Sequence, residues 1–198
     1  MKKFCTSLLS FILLLTSALL CSTANADNPI VKIDTNKGKV LIELFPDKAP
    51  ETVKNFLHYV NEKKYDNTVF HRIVKDFVNQ GGGYNHQYKL VETFPPIKNE
   101  ADNGLQNTLG TIAMAHTADP HSARNQFFIN MADNSLLLDH KDKTPRGWGF
   151  CVFGKVIEGM AAMERIARVR TQAHGPFEAD APVFPVSIRS IRLVEKQP

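Results

Sequence analysis

Cysteine is scarce in this chain. Cys5, Cys21 and Cys151 are the only three among 198 residues, so no disulfide framework can hold the fold and its stability must come from an apolar core. Tryptophan is rarer still, with Trp148 alone. Charge of one sign is also lacking. The formal net charge of +4 is too weak to argue for a nucleic-acid or membrane partner, and Arg165, Arg168 and Arg170 read as a solvated helix end. The sequence has no G-x-S-x-G elbow, no H-E-x-x-H helix and no P-loop, since Gly154-Lys155 is followed by Val156. Gly81-Gly82-Gly83 follows a strand pattern but opens no periodic helix, which makes a poor dinucleotide cradle. Histidine is present, yet His116 and His121 sit in a polar loop without thiol or carboxylate partners at ligand spacing. Neither a cofactor nor a metal is expected.

The first residues carry an address rather than a fold. Lys2-Lys3 precede an apolar run from Phe11 to Leu20, and Ala24-Asn25-Ala26 supplies small residues for cleavage before Asp27. This is the anatomy of a secretory signal peptide over residues 1–26. The apolar core is short for a membrane span, and bulky Leu20 before Cys21 makes a poor lipobox. Removing 26 of the 198 residues leaves 172, one domain over residues 27–198 with room for a core. The leader takes two lysines and no acid with it, which lowers the net charge from +4 to +2. It also takes two cysteines, leaving Cys151 without a partner. The mature protein is expected to be periplasmic, monomeric and free of stable membrane association.

Along that domain, apolar residues alternate in short runs. Ile30–Thr35 and Val40–Phe45 flank Asn36-Lys37-Gly38, a hairpin signal. Pro50 opens a helical pattern of Val53, Phe56, Leu57 and Val60. Residues 84–109 are turn-rich. Strands are expected over 110–116, 126–130, 150–156 and 186–193, with a second short helix marked by Met160, Met163 and Ile166. Many short strands with two helices and no repeat favour an antiparallel, closed or nearly closed sheet.

One stretch is unusual. Tyr65 to Gly82 reads YDNTVFHRIVKDFVNQGG, two strand patterns joined across Lys75-Asp76-Phe77. In that register Val74 faces Val78 and Arg72 lies opposite Gln80. Strict alternation places Phe70, Arg72, Val74, Val78 and Gln80 on one face, and Val69, His71, Ile73 and Asn79 on the inner one. An Arg and a Gln on an otherwise apolar outer face call for a reason. His71, facing inward, reads as a hydrogen-bonded core histidine.

The pattern Tyr65-x-x-Thr68-x-Phe70-His71-Arg72-Ile73-Val74-x-x-Phe77-Val78-x-Gln80-Gly81-Gly82 resembles the signature of cyclophilin-type peptidyl-prolyl cis-trans isomerases. Gly110 to Ala115, Asn125 to Ile129 and Val152 to Val156 are similar to further blocks of the same family. The likeness runs from about Ile30 to Leu193 and is greatest to exported cyclophilins of Gram-negative bacteria. It implies a mainly β fold, a closed eight-stranded antiparallel barrel capped by two α-helices, its interior filled and its substrate groove outside. The implied substrates are proline-containing polypeptides and the implied role is folding of exported proteins. On this resemblance Arg72 is the essential arginine, with Gln80 orienting it. Phe77, Val78, Phe128 and Leu138 line a proline pocket, Gln126 anchors the substrate backbone, and Ala115, His116 and Thr117 meet the residue before proline.

The sequence departs from the family in places. His116 stands where many members have Asn, Val78 replaces a common Met, and Phe150 replaces a frequent His at the pocket rim. The segment 134–139 is one residue longer than usual and puts Leu137, or Leu136 in the other register, where eukaryotic members carry a Trp. Losing that indole donor implies weak cyclosporin binding. Whether Trp148 covers the groove is left open. Two other readings compete: a chaperone-like or adhesin-like binder of Pro-containing segments, and a lipocalin-like carrier, which is disfavoured if inward Val69, Ile73 and Ile112 fill the barrel.

Overall fold

A computed structural model describes residues 28–194; the leader read over residues 1–26 lies outside the described residues. The chain opens with a hairpin of β1 (Ile30–Thr35) and β2 (Gly38–Leu44). Val31, Ile33 and Thr35 are buried on β1, and Val40, Ile42 and Leu44 on β2. Ile33 pairs with Val40 and Val31 with Ile42, so the period-two pattern of each strand becomes one apolar face. Helix α1 (Pro50–Asn61) starts on proline, which fixes a helical φ where no backbone donor is needed. It buries Val53, Phe56, Tyr59 and Val60.

Next come β3 (Thr68–Val74) and β4 (Val78–Asn85), a 3-10 turn at Ala101–Asn103, β5 (Thr111–Met114) and β6 (Phe127–Asn130). A one-turn helix α2 (Ser135–Leu138) precedes β7 (Val152–Glu158), and α3 (Met160–Ala167) follows it. A ribbon of β8 (Thr171–His174) and β9 (Phe177–Pro182) leads into β10 (Val186–Leu193). Eight strands close a barrel in the order β1-β10-β3-β4-β6-β5-β7-β2, all neighbours antiparallel, while β8 and β9 pair only with each other. The fold is therefore mainly β, as expected. Its interior is occupied: Phe70, Phe127, Phe153, Ile112 and Met114 are buried together with Phe56 of α1 and Met163 of α3. Phe56 meets Phe127 edge-on at 5.7 Å and Phe153 at 5.2 Å. Full burial of each such ring is worth about 1.5–3 kcal/mol, and a filled barrel has no room for a carried ligand.

The face assignment on β3 needs correction. Val74 does face Val78 and Arg72 does face Gln80, but Phe70 pairs with Gly81, which leaves His71 as a bulge. A bulge adds one residue to one strand and shifts the phase of alternation beyond it. Phe70 thus joins Ile73 in the barrel core instead of sharing the face of Arg72. Val69 and His71 are buried outside the barrel, Val69 with Tyr88 and Ala181, and His71 with its ring on Phe177. Of the three residues expected to fill the interior, Ile73 and Ile112 do and Val69 does not.

Candidate active site

The hairpin β3–β4 builds the charged edge of the site. Arg72 Nη1 donates to Gln80 Oε1 at 3.4 Å, and Gln80 Nε2 donates to Gln126 Oε1 at 3.0 Å. Three side chains from three separate segments thus form one polar line. Two glycines make room for it. Gly82 holds φ +86 with Asn125 O only 2.9 Å from where a Cβ would stand, and at Gly83 that position lies 2.5 Å from Gln126 Cγ. Only a backbone free of Cβ lets β4 turn here while Gln126 lies across it.

The apolar wall comes from register. Phe128 pairs with Gln80 on one side and Ala113 on the other. Val78, Ala113, Phe128, Leu138 and Val152 form a buried cluster separate from the barrel core, with Phe77, Ala115 and Phe150 against it. Phe150 meets Phe128 edge-on at 5.6 Å, and His116 stacks on Phe150 at 4.3 Å. These side chains enclose a recess of about 230 Å³ lined by Arg72, Phe77, Val78, Gln80, Ala115, His116, Phe128, Leu138 and Phe150. A second recess of about 500 Å³ shares Gln80, Ala115 and His116 and continues past Thr117, Ser122, Arg124 and Gln126. Together they make a groove in which one guanidinium meets an apolar pocket.

Eleven of the twelve residues expected at the site line one recess or the other, with Thr117 and Gln126 in the second only. Leu137 is the exception. Its side of α2 faces solvent and is 72 % exposed, because successive helical residues turn by about 100° and Leu138 takes the inward position. Trp148 does not cover the groove. It is buried against the barrel core, with Nε1 donating to Asn99 O at 3.4 Å.

A set of buried asparagines holds the loop between β6 and β7, and sequence reading passed over them. Asn130 Nδ2 donates to Asn107 Oδ1 and Thr111 Oγ1. Asn134 Nδ2 donates to Asn130 Oδ1 and to Phe77 O. Asn107 Nδ2 donates to Asp139 Oδ1 and to Phe150 O. The backbones of Phe77 and Phe150, both lining the recess, are thereby tied to one network. The recurrence of Asn at 130 and 134, where a strand ends, is the signal that would have found them.

Beneath the β8–β9 ribbon, His71 packs 4.6 Å from Tyr84 and stacks on Phe177 at 5.3 Å. Its Nδ1 is buried without a partner. Burial pulls the imidazole down to about 4, over opposing contributions from the Val69 backbone and Gln126 and a small further lowering by Arg72. The ring is neutral at physiological pH. Cys151, buried beside Thr52, has its thiol pushed up to about 12 by loss of solvent, so it is no nucleophile.

The site is thus a groove on the outside of a closed barrel, an apolar recess with an arginine at its lip. The family model described as cyclophilin type peptidyl-prolyl cis-trans isomerase matches residues 30–193. The chain belongs to that family and is a peptidyl-prolyl cis-trans isomerase. Among its relatives, peptidyl-prolyl cis-trans isomerase B of Escherichia coli K12 is 48% identical over 166 residues, covering 84% of this chain and 100% of the relative. Peptidyl-prolyl cis-trans isomerase cyp18 of Streptomyces antibioticus is 48% identical over 164 residues, 83% of this chain and 98% of its own. The crystal structure of a Cryptosporidium parvum cyclophilin-type isomerase matches with a TM-score of 0.68 at 24% identity, covering 86% of this chain and 99% of that one, a likeness of fold.

Proposed function

We propose that Arg72 is the catalytic residue and that the 230 Å³ recess receives the proline ring. The observation that carries this is the meeting of an arginine fork with an apolar pocket of ring size. Rotation about a prolyl bond works against roughly 18–20 kcal/mol of amide resonance and takes tens to hundreds of seconds unaided. No bond breaks. As the amide twists, conjugation is lost and the prolyl nitrogen regains a lone pair. A fixed, permanently charged donor binds that nitrogen better than it binds the planar amide, which is selective stabilisation of the transition state. Phe128, Val78, Phe77, Leu138 and Phe150 hold the ring, Gln80 fixes the guanidinium, and Gln126 with the backbone of Ala115, His116 and Thr117 holds the preceding residue. A related Cryptosporidium parvum structure was determined in the presence of the dipeptide Ala-Pro, in keeping with prolyl peptides as ligands here. Titrating a short X-Pro peptide into labelled protein should shift the backbone signals of Val78, Ala113 and Phe128; shifts confined to other surfaces would remove the assignment.

We further propose that the enzyme acts on exported proteins in the periplasm as a monomer. The leader read over residues 1–26 supports the location, and N-terminal sequencing of the protein from a periplasmic fraction should begin at Asp27; a chain retaining Met1 in the cytoplasm would refute it. Cyclosporin binding is expected to be weak. Leu136 and Leu137 offer no N–H donor, and the lone indole donates to Asn99 instead. Saturation at nanomolar drug would contradict this.

A further inference from the structure

The β8–β9 ribbon takes no part in closing the barrel, yet it is fastened to the outer face of β3. Phe177 stacks on His71, Ala181 is buried with Val69 and Tyr88, and the Tyr88 hydroxyl donates to Pro182 O at 3.2 Å. This docking carries Asp180 to the lip of the pocket, where Oδ2 stands 3.7 Å from Arg72 Nε. Asp180 also holds φ +63, a left-handed conformation that most L residues avoid and that aspartate and asparagine tolerate best.

We propose that Asp180 is a positioning residue for Arg72, delivered by the ribbon; this rests on the catalytic reading of Arg72. The guanidinium has five N–H donors in a rigid fork. Gln80 accepts from Nη1 at a long 3.4 Å, which alone leaves the fork free to swing. Asp180 sets a negative charge beside the opposite end, 3.7 Å from Nε and beyond hydrogen-bond length, so it biases the orientation of the fork by charge while Gln80 supplies the hydrogen bond. Nη2, Nε–H and one hydrogen of Nη1 make no hydrogen bond among the described residues, and the Nη groups are presented to the substrate. The two side chains are 37% and 38% exposed, so the pair is screened and its effect modest. It acts by restricting Arg72 before substrate arrives, and so belongs to turnover more than to binding.

Asp180→Asn isolates the charge, because asparagine is isosteric and keeps the left-handed backbone that holds the ribbon. On a short X-Pro peptide, kcat should fall about two- to five-fold with KM within two-fold, the size of a partly exposed ion pair. The Nε–H signal of Arg72 should move and exchange faster with water. Phe177→Ala, which loosens the ribbon itself, should lower kcat similarly, and adding Asp180→Asn to it should cost nothing further. Wild-type kcat with an unmoved Arg72 signal in Asp180→Asn would overturn the proposal, as would a loss carried entirely by KM. If Arg72→Ala were itself fully active, the catalytic reading would fall instead, and the Nε–H signal would still report whether the pair exists.

Discussion

His71 should make this protein sensitive to acid through one identifiable ring. The imidazole is buried, its Nδ1 has no partner, and burial holds its pKa at about 4, against about 6.5 for an exposed histidine. With the folded value below the unfolded one, the unfolded chain binds the proton more readily. The contribution to stability is therefore complete above pH ~6.5 and is lost as pH falls through the window to about 4. At about 1.4 kcal/mol per pH unit, the full loss is about 3 kcal/mol, a sizeable part of a typical domain's ~5–15 kcal/mol. His71→Phe keeps an aromatic ring between Tyr84 and Phe177 and removes the titration. Urea unfolding at pH 7, 5.5 and 4 should show the wild type losing about 3 kcal/mol more than the variant across that range. Carboxylates shared by both proteins cancel in the comparison. Equal losses would mean that the folded ring is already open to protons and that the ribbon does not cover it. The His71 ring signals should likewise stay unshifted at pH 5.5.

Other substitutions test the supports of the groove. Gly83→Ala would place a Cβ 2.5 Å from Gln126 Cγ and 2.7 Å from its Nε2. Gln126 is flexible enough to move aside, so the melting temperature should hardly change, while KM for an X-Pro peptide rises about two- to ten-fold with the loss of one neutral hydrogen bond or two. Asn107→Ala removes bonds to Asp139, Phe150 O and Asn130. It should cost about 2–4 kcal/mol in urea unfolding and weaken peptide binding because both aromatic walls loosen; a change in binding without a change in stability would contradict the network's role.

Much of this arrangement is legible in the residues. The strands β1 and β2 bury alternate side chains and show it as plain period-two patterns, whereas β10 alternates only until the irregularity beyond Ile188. The pairing of Arg72 with Gln80 follows from a three-residue connection, which leaves only one register. What escapes is what breaks a period. The bulge at His71 leaves no mark in the run of strand residues around it, so Val69, Phe70 and His71 are assigned to the wrong faces. The ribbon of Thr171–His174 and Phe177–Pro182 is mostly exposed or half-buried and carries no apolar alternation, so Asp180 could not be linked to Arg72. Leu137 and Leu138 are indistinguishable until the turn of α2 is known. Buried asparagines look like turn residues because the same hydrogen-bonding capacity serves both places.

Exchange spectroscopy on an X-Pro peptide reads out whether Arg72 stabilises the twisted amide. Arg72 is partly exposed and lies outside the barrel core, so Arg72→Ala should fold with wild-type circular dichroism and melting. Its cis–trans exchange rate should fall by about 10²-fold, the scale for removing one transition-state donor. Arg72→Lys should recover little, because an ammonium cannot reproduce the fork. Exchange at the wild-type rate in Arg72→Ala would mean that the arginine takes no part in the rotation.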